Sequence, residues 1–328
     1  MDHRFGHSLG WRRPARFPQF RCAPEEATQA VHTGDPSSAL HKNRVRRHRY
    51  TPAVPRLYVT GAGGFIGSRL IALKPASWQV VGQWRRTPPP EGAVATPCLD
   101  LGDEAAVATS LRGARPDVVL HLAYDIGAGS GPNLAWSRNV FAGADAIGAA
   151  IVFMSTDLVF DGNRGWYHEN EPVAPTIDYG RWKATLEAEV ATLGGVSART
   201  SLVWSADPPS VPIQRMILDP LQRGESPRLF ADEWRSPTDV TDLARGLWEV
   251  VQSGARGTIV HLAGPERITR YEHGQLIARK YGFVTDFPPS YRAQVAPDRP
   301  RDTTLAMTAV THAIVRTTRF RGPSEILA

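Results

Sequence analysis

Residues 56–70 have the sequence RLYVTGAGGFIGSRL, an apolar strand followed at once by a glycine-rich turn and the start of a helix. Gly61, Gly64 and Gly67 give the turn a GxxGxxG spacing. Glycines in such a turn allow the backbone to approach a pyrophosphate closely, and the first N–H groups of the helix attract its charge. Because the motif stands between a strand and a helix, it predicts a dinucleotide site. A tight turn that binds nothing is the alternative.

The same alternation of strand and helix continues along the chain. We expect further strands at 78–84, 94–101, 117–123, 150–160, 196–204 and 258–264, and helices at 103–111, 133–150, 178–193, 236–254 and 268–282. This order predicts an α/β fold with a Rossmann-type doubly wound parallel sheet. A smaller, mixed C-terminal region is expected to bind substrate. The predicted organisation is a disordered basic extension at 1–52, an NAD(P)-binding Rossmann domain at 53–204 and a substrate-binding region at 205–328, with Rossmann elements returning around 236–264.

Charge and composition exclude several classes of function. The net charge of +6 lies in residues 1–55, which hold ten Lys/Arg and four Asp/Glu, whereas the remaining residues hold 28 of each sign. We therefore expect no nucleic-acid partner for the globular part. No apolar run approaches the ~20 residues of a membrane span, so no membrane association is expected. Cys22 and Cys98 cannot form a disulfide framework, which favours a cytoplasmic location, and no metal-ligand spacing is present. The extension could be a solvated tail, an over-long gene start or a transit peptide.

The end of the second strand indicates which nicotinamide cofactor would bind. A fold that prefers NAD carries an acid there for the ribose 2′-hydroxyl, but this chain carries Arg85 and Arg86. Two arginines favour a 2′-phosphate and hence NADPH, with NADH and a pair of plain surface arginines as alternatives. Asp100 and Leu101, after the third strand, are candidates for contact with the adenine or for an ordinary strand-end turn.

Three polar side chains carry the candidate chemistry. Tyr179 and Lys183 stand four residues apart on a predicted helix and so project from one face. An ammonium beside a phenol should lower the tyrosine pKa and let it pass a proton to a carbonyl oxygen. Thr156, or Ser155, ends the fifth parallel strand, where its hydroxyl could polarise that carbonyl. His121 and His261 lie within apolar strands, where hydrogen-bonded core histidines are expected.

Several runs together resemble a known family. They are GAGGFIG, DVVLHLA, FMSTDLVFDG, YGRWK, ARTSLVW, RSPTDVTDLARGL and GTIVHLAGPERITRYE, in order from about residue 57 to the C-terminus. The chain resembles the dTDP-4-dehydrorhamnose reductases, which belong to the extended short-chain dehydrogenase/reductases. The same runs resemble the regulatory β subunit of methionine adenosyltransferase, a binding protein with this fold.

The resemblance implies an NADPH-dependent reduction of the C4 ketone of a nucleotide sugar, dTDP-4-dehydro-L-rhamnose, to dTDP-L-rhamnose. It implies that Tyr179 is the proton donor, that Lys183 binds the nicotinamide ribose and that Thr156 completes the catalytic set. A homodimer is compatible with it. The implied cofactor-binding residues are Gly61, Gly64, Phe65, Ile66, Gly67, Arg85, Arg86, Asp100, Leu101, Ala123, Tyr179 and Lys183. The implied substrate-binding residues are Ser155, Asp157, Phe160, Trp204 and Arg235.

Two crossovers are shorter than is usual for a parallel sheet. The segment after Gly67 contains Pro75, which should end its helix early. The helix between Asn139 and Ser155 is about two turns shorter than expected, since a crossover normally takes a dozen or more residues. A compact enzyme, a faulty gene sequence or a catalytically silent paralogue would each explain this shortening.

Overall fold

The computed structural model describes residues 54–206, 212–283 and 285–328. The extension predicted at 1–52 lies outside these residues. Within them are eleven strands: β1 (Arg56–Thr60), β2 (Gln79–Gln83), β3 (Val94–Ala95), β4 (Val118–His121), β5 (Ala150–Thr156), β6 (Val196–Thr200), β7 (Val203–Trp204), β8 (Trp234–Arg235), β9 (Thr238–Asp239), β10 (Thr258–Leu262) and β11 (Ile268–Thr269).

Seven of these strands form one parallel sheet in the order β3-β2-β1-β4-β5-β6-β10. The strand order reverses between β1 and β4, and a ligand crevice opens beyond the carboxyl ends of strands at such a point. The predicted Rossmann-type doubly wound sheet is therefore confirmed. Two small sheets, β8 with β11 and β7 with β9, accompany it.

Helices cover both faces of the central sheet. The described residues contain α1 (Phe65–Ala72), α2 (Glu104–Ala114), α3 (Ser130–Asp145), α4 (Asp178–Thr192), α5 (Pro212–Gln222), α6 (Val240–Ser253), α7 (Arg270–Lys280), α8 (Arg292–Val295), α9 (Ala309–Ile314) and α10 (Pro323–Leu327). Leu70 of α1 and Leu243 of α6 belong to the core on one face. Val140 of α3 and Leu186 of α4 belong to the core on the other. Burial on both faces explains why these strands are nearly continuous apolar runs.

The helix ends follow local sequence chemistry. The Asp239 side chain accepts hydrogen bonds from the N–H groups of Thr241 and Asp242 and so begins α6. Thr269 and Glu272 form a capping box at the start of α7, where the sequence predicts a threonine cap. These side chains satisfy backbone donors that the first helical turn leaves without partners.

The two crossovers predicted to be short contain helices of different length, eight residues in α1 and 16 in α3. Helix α1 has eight residues and ends before Pro75, as the proline predicts. Helix α3 ends at Asp145, and residues 146–149 lead through Gly148, with φ of 71°, into β5. Both crossovers therefore reach the next strand of the sheet without a break in its register.

A separate apolar cluster lies in the C-terminal part of the chain. It joins α5, α7 and α10 and contains Trp204, Ile217, Leu229, Ile277 and Phe287. Among the residues described, no helix combines the length and apolarity needed to cross a bilayer.

Candidate functional site

The three candidate catalytic residues meet at the carboxyl edge of the sheet. Thr156 is the last residue of β5, and Tyr179 and Lys183 lie in the first two turns of α4. Gly180 makes their approach possible, because a Cβ at this position would lie 2.0 Å from the carbonyl oxygen of Leu158. Any larger residue would push α4 away from the turn that follows β5. Gly180 is thus a site residue that the sequence argument missed, although it stands inside the YGRWK run.

Lys183 is a buried cation surrounded by aromatic rings. Its side chain is 3% exposed, and its ammonium donates to the carbonyl oxygen of Met154 at 2.6 Å. Its Nζ lies 4.5 Å from the ring centroid of Phe153, 4.8 Å from that of Trp182 and 5.4 Å from that of Tyr124. Such rings stabilise a cation, but burial dominates and lowers the pKa of Lys183 to about 7.

The pKa of Tyr179 shifts in the direction opposite to the one predicted from Lys183. Burial raises the pKa of Tyr179 well above its usual value of 10.0, and Tyr124 and Asp157 raise it further. The Arg235 guanidinium and a hydrogen bond with Thr156 act in the opposite direction. The expectation of a lowered tyrosine pKa was wrong because it weighed one neighbouring charge and could not include desolvation. Tyr179 is therefore a phenol, not a phenolate, at neutral pH.

Thr156 and Ser155 differ in their hydrogen bonding. The Thr156 hydroxyl donates to Oδ1 of Asp157 at 3.1 Å and accepts from the N–H of Leu158 at 3.3 Å. Ser155 is 2% exposed, and its Oγ has no partner among the described residues. Of the two hydroxyls, only that of Thr156 forms a hydrogen bond that influences Tyr179.

Asp157 and Arg235 form a buried ion pair beneath the catalytic residues. The Arg235 Nε and Nη2 atoms each donate to the Asp157 carboxylate at 2.6 Å. Ser201 and Thr303 donate to the same carboxylate at 2.6 and 3.0 Å. The third nitrogen of Arg235 reaches Glu233 at 3.3 Å. Every polar atom of this pair is thus engaged inside the protein, which corrects the expectation that both residues face the substrate.

Two further predicted substrate residues belong to the core. Phe160 is 0% exposed and stacks on Tyr167 with ring centroids 4.2 Å apart. Trp204 is also 0% exposed and packs edge-on against His273. These rings have no free surface for a sugar, so their predicted role as pocket lining does not fit the structure. Their physical role is to join the central sheet to the C-terminal part of the chain.

The glycine turn is held by a side chain from the neighbouring strand. Gly61, with φ of 67°, donates its N–H to Oε1 of Gln83 at 3.1 Å. The Gln83 amide also donates to the carbonyl oxygen of Leu99 at 2.7 Å. A Cβ on Gly61 would lie 3.1 Å from Cα of Ala123, so Ala123 adjoins the turn as predicted for a cofactor-binding residue. Gln83 carries no sequence signal for this role beyond its place at the end of β2.

The histidine of β4 is part of this frame. His121 hydrogen-bonds Thr60 through Nδ1 at 2.8 Å and Ser137 through Nε2 at 2.9 Å. Burial, and secondarily Lys183, lower the pKa of His121 to about 3, so the ring is neutral. His261 bonds the carbonyl oxygen of Ala306 at 2.8 Å. The prediction of hydrogen-bonded core histidines is confirmed.

The remaining predicted cofactor residues lie at the start of α1 and after β2 and β3. Phe65 and Ile66 begin α1, whose first N–H groups have no helical acceptors. Arg85, 30% exposed at its side chain, and Arg86, 75% exposed, both reach the carboxylate of Asp125. Asp100 lies 3.5 Å from Arg85 and is exposed. Leu101 is 6% exposed and packs in the core, so its side chain does not line the site.

The chain is similar in sequence or in fold to several known proteins. The chain is 31% identical to methionine adenosyltransferase 2 subunit beta of Xenopus laevis, over 66% of this chain and 69% of that protein. It is 28% identical to dTDP-4-dehydrorhamnose reductase of Mycobacterium tuberculosis, over 83% and 91%. A crystal structure of dTDP-4-dehydrorhamnose reductase from Bacillus anthracis in complex with NADP superimposes with a TM-score of 0.70 at 22% identity, over 83% and 97%.

A family model covers nearly all of the residues that the structure describes. Residues 55–323 match the RmlD substrate binding domain. The match includes the glycine turn, the end of β5, the start of α4 and most of the C-terminal part. The chain belongs to the RmlD substrate binding domain family.

Proposed function

We propose that this chain is an NADPH-dependent reductase of a nucleotide-linked 4-keto sugar, and that it converts dTDP-4-dehydro-L-rhamnose to dTDP-L-rhamnose. The observation that carries the proposal is the meeting of Thr156, Tyr179 and Lys183 at the crevice end of the sheet, beside a glycine turn. The relatives named as dTDP-4-dehydrorhamnose reductases support the choice of substrate.

The cofactor site fits a dinucleotide. The turn from Gly61 to Gly67 precedes a helix with no acidic residue in its first turn, so its N-terminal donors stay available to a phosphate. A Cβ on Gly64 would meet only the carbonyl oxygen of Gly61, at 3.0 Å, so this side of the turn is open. The turn would hold the pyrophosphate, and Arg85 and Arg86 would hold the 2′-phosphate. When bound, NADPH supplies the hydride that reduces the ketone carbon.

Tyr179 is the proton donor. Its raised pKa keeps the phenol protonated at neutral pH, which is the form that a reduction requires. As the ketone oxygen gains negative charge, the Tyr179 hydroxyl transfers its proton to it. The Arg235 guanidinium, 5% exposed, stabilises the tyrosinate that remains. The carboxylate of its partner Asp157 acts more strongly in the opposite direction, so the ion pair as a whole favours the protonated phenol.

Thr156 would polarise the substrate ketone, and Lys183 would bind the cofactor. The Thr156 hydroxyl, now bonded to Asp157, can rotate to donate to the ketone oxygen and polarise it. Lys183 would hold the nicotinamide ribose, for which its ammonium must exchange the Met154 carbonyl for ribose hydroxyls. With a pKa of about 7, Lys183 is only partly protonated at neutral pH, so the negative charge of a bound cofactor would favour its charged form.

The substrate diphosphate needs cations other than Arg235. Arg267 and Arg301 lie over the ring of Trp234, at 4.6 and 5.3 Å from its centroid. Trp234 immediately precedes Arg235, and Thr303, two residues after Arg301, donates to Asp157. We propose this exposed arginine pair as the diphosphate contact in place of Arg235.

The test of this function is turnover. NADPH oxidation should be followed with dTDP-4-dehydro-L-rhamnose for the wild type and for Tyr179→Phe, with Tyr271→Phe as the matched control. Tyr271 donates to the carbonyl oxygen of Phe287, so its loss removes one phenol far along the chain from the catalytic residues. Tyr179→Phe should lower kcat by about 10²–10⁴-fold, while NADPH binding, measured by fluorescence, stays intact. Equal turnover in wild type and Tyr179→Phe would refute the role of Tyr179.

A second candidate is a binding or regulatory protein that lacks turnover. The relative named methionine adenosyltransferase 2 subunit beta favours it, because that protein is named as a subunit. The internal hydrogen bond of Lys183 to Met154 also suits a protein that does no chemistry. Cofactor binding without any NADPH oxidation would favour this candidate over the reductase.

A further inference from the structure

We propose that Asp125 determines how the chain divides its affinity between NADPH and NADH. This inference rests on the proposed function, since it concerns the cofactor of that same site. Asp125 lies two residues beyond Ala123, at the carboxyl end of β4, and not on β2 where an acid is expected in an NAD-binding fold.

Asp125 joins the two arginines that would read the 2′-phosphate. Its Oδ2 accepts from Nη2 of Arg85 at 3.1 Å and from Nη2 of Arg86 at 2.8 Å. Its Oδ1 accepts from the N–H of Gly127 at 3.0 Å. The Asp125 carboxylate therefore already occupies the space between the guanidinium groups of Arg85 and Arg86. We call these two guanidinium groups, with the space between them, the fork.

The position of Asp125 is fixed by its backbone. Asn133, 2% exposed, accepts the N–H of Asp125 at 2.9 Å and donates to its carbonyl oxygen at 2.8 Å. The backbone just after the two arginines is fixed as well, because the carbonyl oxygen of Thr87 packs directly on the glycine turn. A Cβ on Gly63 would lie 2.0 Å from this oxygen. The Asp125 carboxylate and the arginine pair therefore lie in segments that adjoin the glycine turn.

The Asp125 charge reduces the preference of Arg85 and Arg86 for the 2′-phosphate of NADPH over the 2′-hydroxyl of NADH. Arg85 and Arg86 meet two carboxylates, Asp125 and Asp100, so the fork carries no net positive charge. A 2′-phosphate must approach the Asp125 carboxylate, which repels it, whereas a ribose 2′-hydroxyl can donate to the same carboxylate. Asp125 supplies from β4 the acid that the end of β2 lacks.

The test is a pair of binding constants. We would measure Kd for NADPH and for NADH by titration calorimetry, in the wild type and in Asp125→Asn. Asparagine keeps the oxygen that accepts from Gly127 but removes the charge. Losing one unit charge near the phosphate should tighten NADPH binding by about fivefold and weaken NADH binding by about twofold, so the ratio shifts by about tenfold toward NADPH.

Two controls separate this effect from others. Asp145→Asn removes the same charge from an exposed residue at the far end of α3 and should leave the ratio unchanged. With Arg85 and Arg86 both changed to alanine, Asp125→Asn should still shift the ratio toward NADPH, because Asn133 keeps Asp125 in place without the arginines. An unchanged ratio in Asp125→Asn alone, with both cofactors still binding, would overturn this inference but not the proposed function. If the wild type binds neither cofactor, both fail.

Discussion

Lys183 and Arg235 are two buried cations near the carboxyl end of β5, and their hydrogen-bond and ion-pair partners differ. Arg235 is 5% exposed and is matched by the carboxylates of Asp157 and Glu233. Lys183 is 3% exposed and has a carbonyl oxygen and three aromatic rings, but no carboxylate within ion-pair distance among the described residues. A buried charge with a carboxylate partner keeps its charge and serves the structure, whereas one without a partner has a shifted pKa and is suited to a changing ligand. Lys183 therefore belongs to the catalytic surface. Arg235, Asp157 and Glu233 form a buried ionic cluster beneath that surface, the polar floor.

Removing Arg235 from the polar floor should produce the largest loss of stability. Arg235→Met leaves Asp157 and Glu233 buried without their shared partner, which should lower the free energy of unfolding by about 3–5 kcal/mol. Urea unfolding measures this loss. The control is Arg138→Met, which breaks an exposed pair with Glu189 and should cost less than about 1 kcal/mol. Similar losses in both variants would contradict the assignment of Arg235 to the floor.

Glu233 should show the pH dependence of the floor. Its contacts with Arg299, Arg270 and Arg235 lower its pKa from 4.5 to about 2 despite burial. Its stabilisation is therefore complete above pH 4.5 and is lost as the pH falls toward 2. Glu233→Gln should lower the free energy of unfolding by about 2–3 kcal/mol at pH 7, and the gap to the wild type should narrow below pH 4.5. Glu189→Gln, the exposed counterpart, should show almost no gap at any pH.

Removing the unmatched cation should have a smaller effect and the opposite sign. Lys183 has a folded pKa of about 7 against 10.5 for the free side chain, so its protonation opposes folding. This penalty is complete below pH 7 and disappears as the pH rises to 10.5. Lys183→Met should therefore raise Tm by several degrees at pH 7, with a gain that shrinks toward pH 10, and should abolish reduction. A Lys183→Met protein less stable than the wild type at pH 7 would show that Lys183 belongs to the floor instead.

Local patterns predicted the parts of the molecule that depend on neighbours in sequence. The strand at 56–60, the turn at 61–67 and the end of α1 before Pro75 are set by residues within a few positions of each other. The four-residue spacing of Tyr179 and Lys183 likewise survives, because helix geometry alone places them on one face. The doubly wound parallel sheet, though not its strand order, followed from the strand–helix alternation.

The contacts of a side chain with residues far away in the sequence could not be predicted. Asp157 finds Arg235 78 residues away, and Arg85 finds Asp125 40 residues away. No spacing rule encodes such contacts, so Asp157 and Arg235 were expected at the substrate although they satisfy one another. The predicted direction of the Tyr179 pKa shift was wrong for the same reason. Desolvation depends on the folded surroundings of the phenol and not on its spacing from Lys183.

The central claim is that neighbouring residues of one motif, Thr156 and Asp157, divide between catalysis and structure. The most direct measurement is kcat together with Tm for Thr156→Val and Asp157→Asn under identical conditions. We predict that Thr156→Val lowers kcat by about 10²-fold and keeps Tm within a few degrees of the wild type. Asp157→Asn should instead lower Tm by about ten degrees. A Thr156→Val protein with full turnover, beside an Asp157→Asn protein with unchanged Tm and lost turnover, would contradict the account.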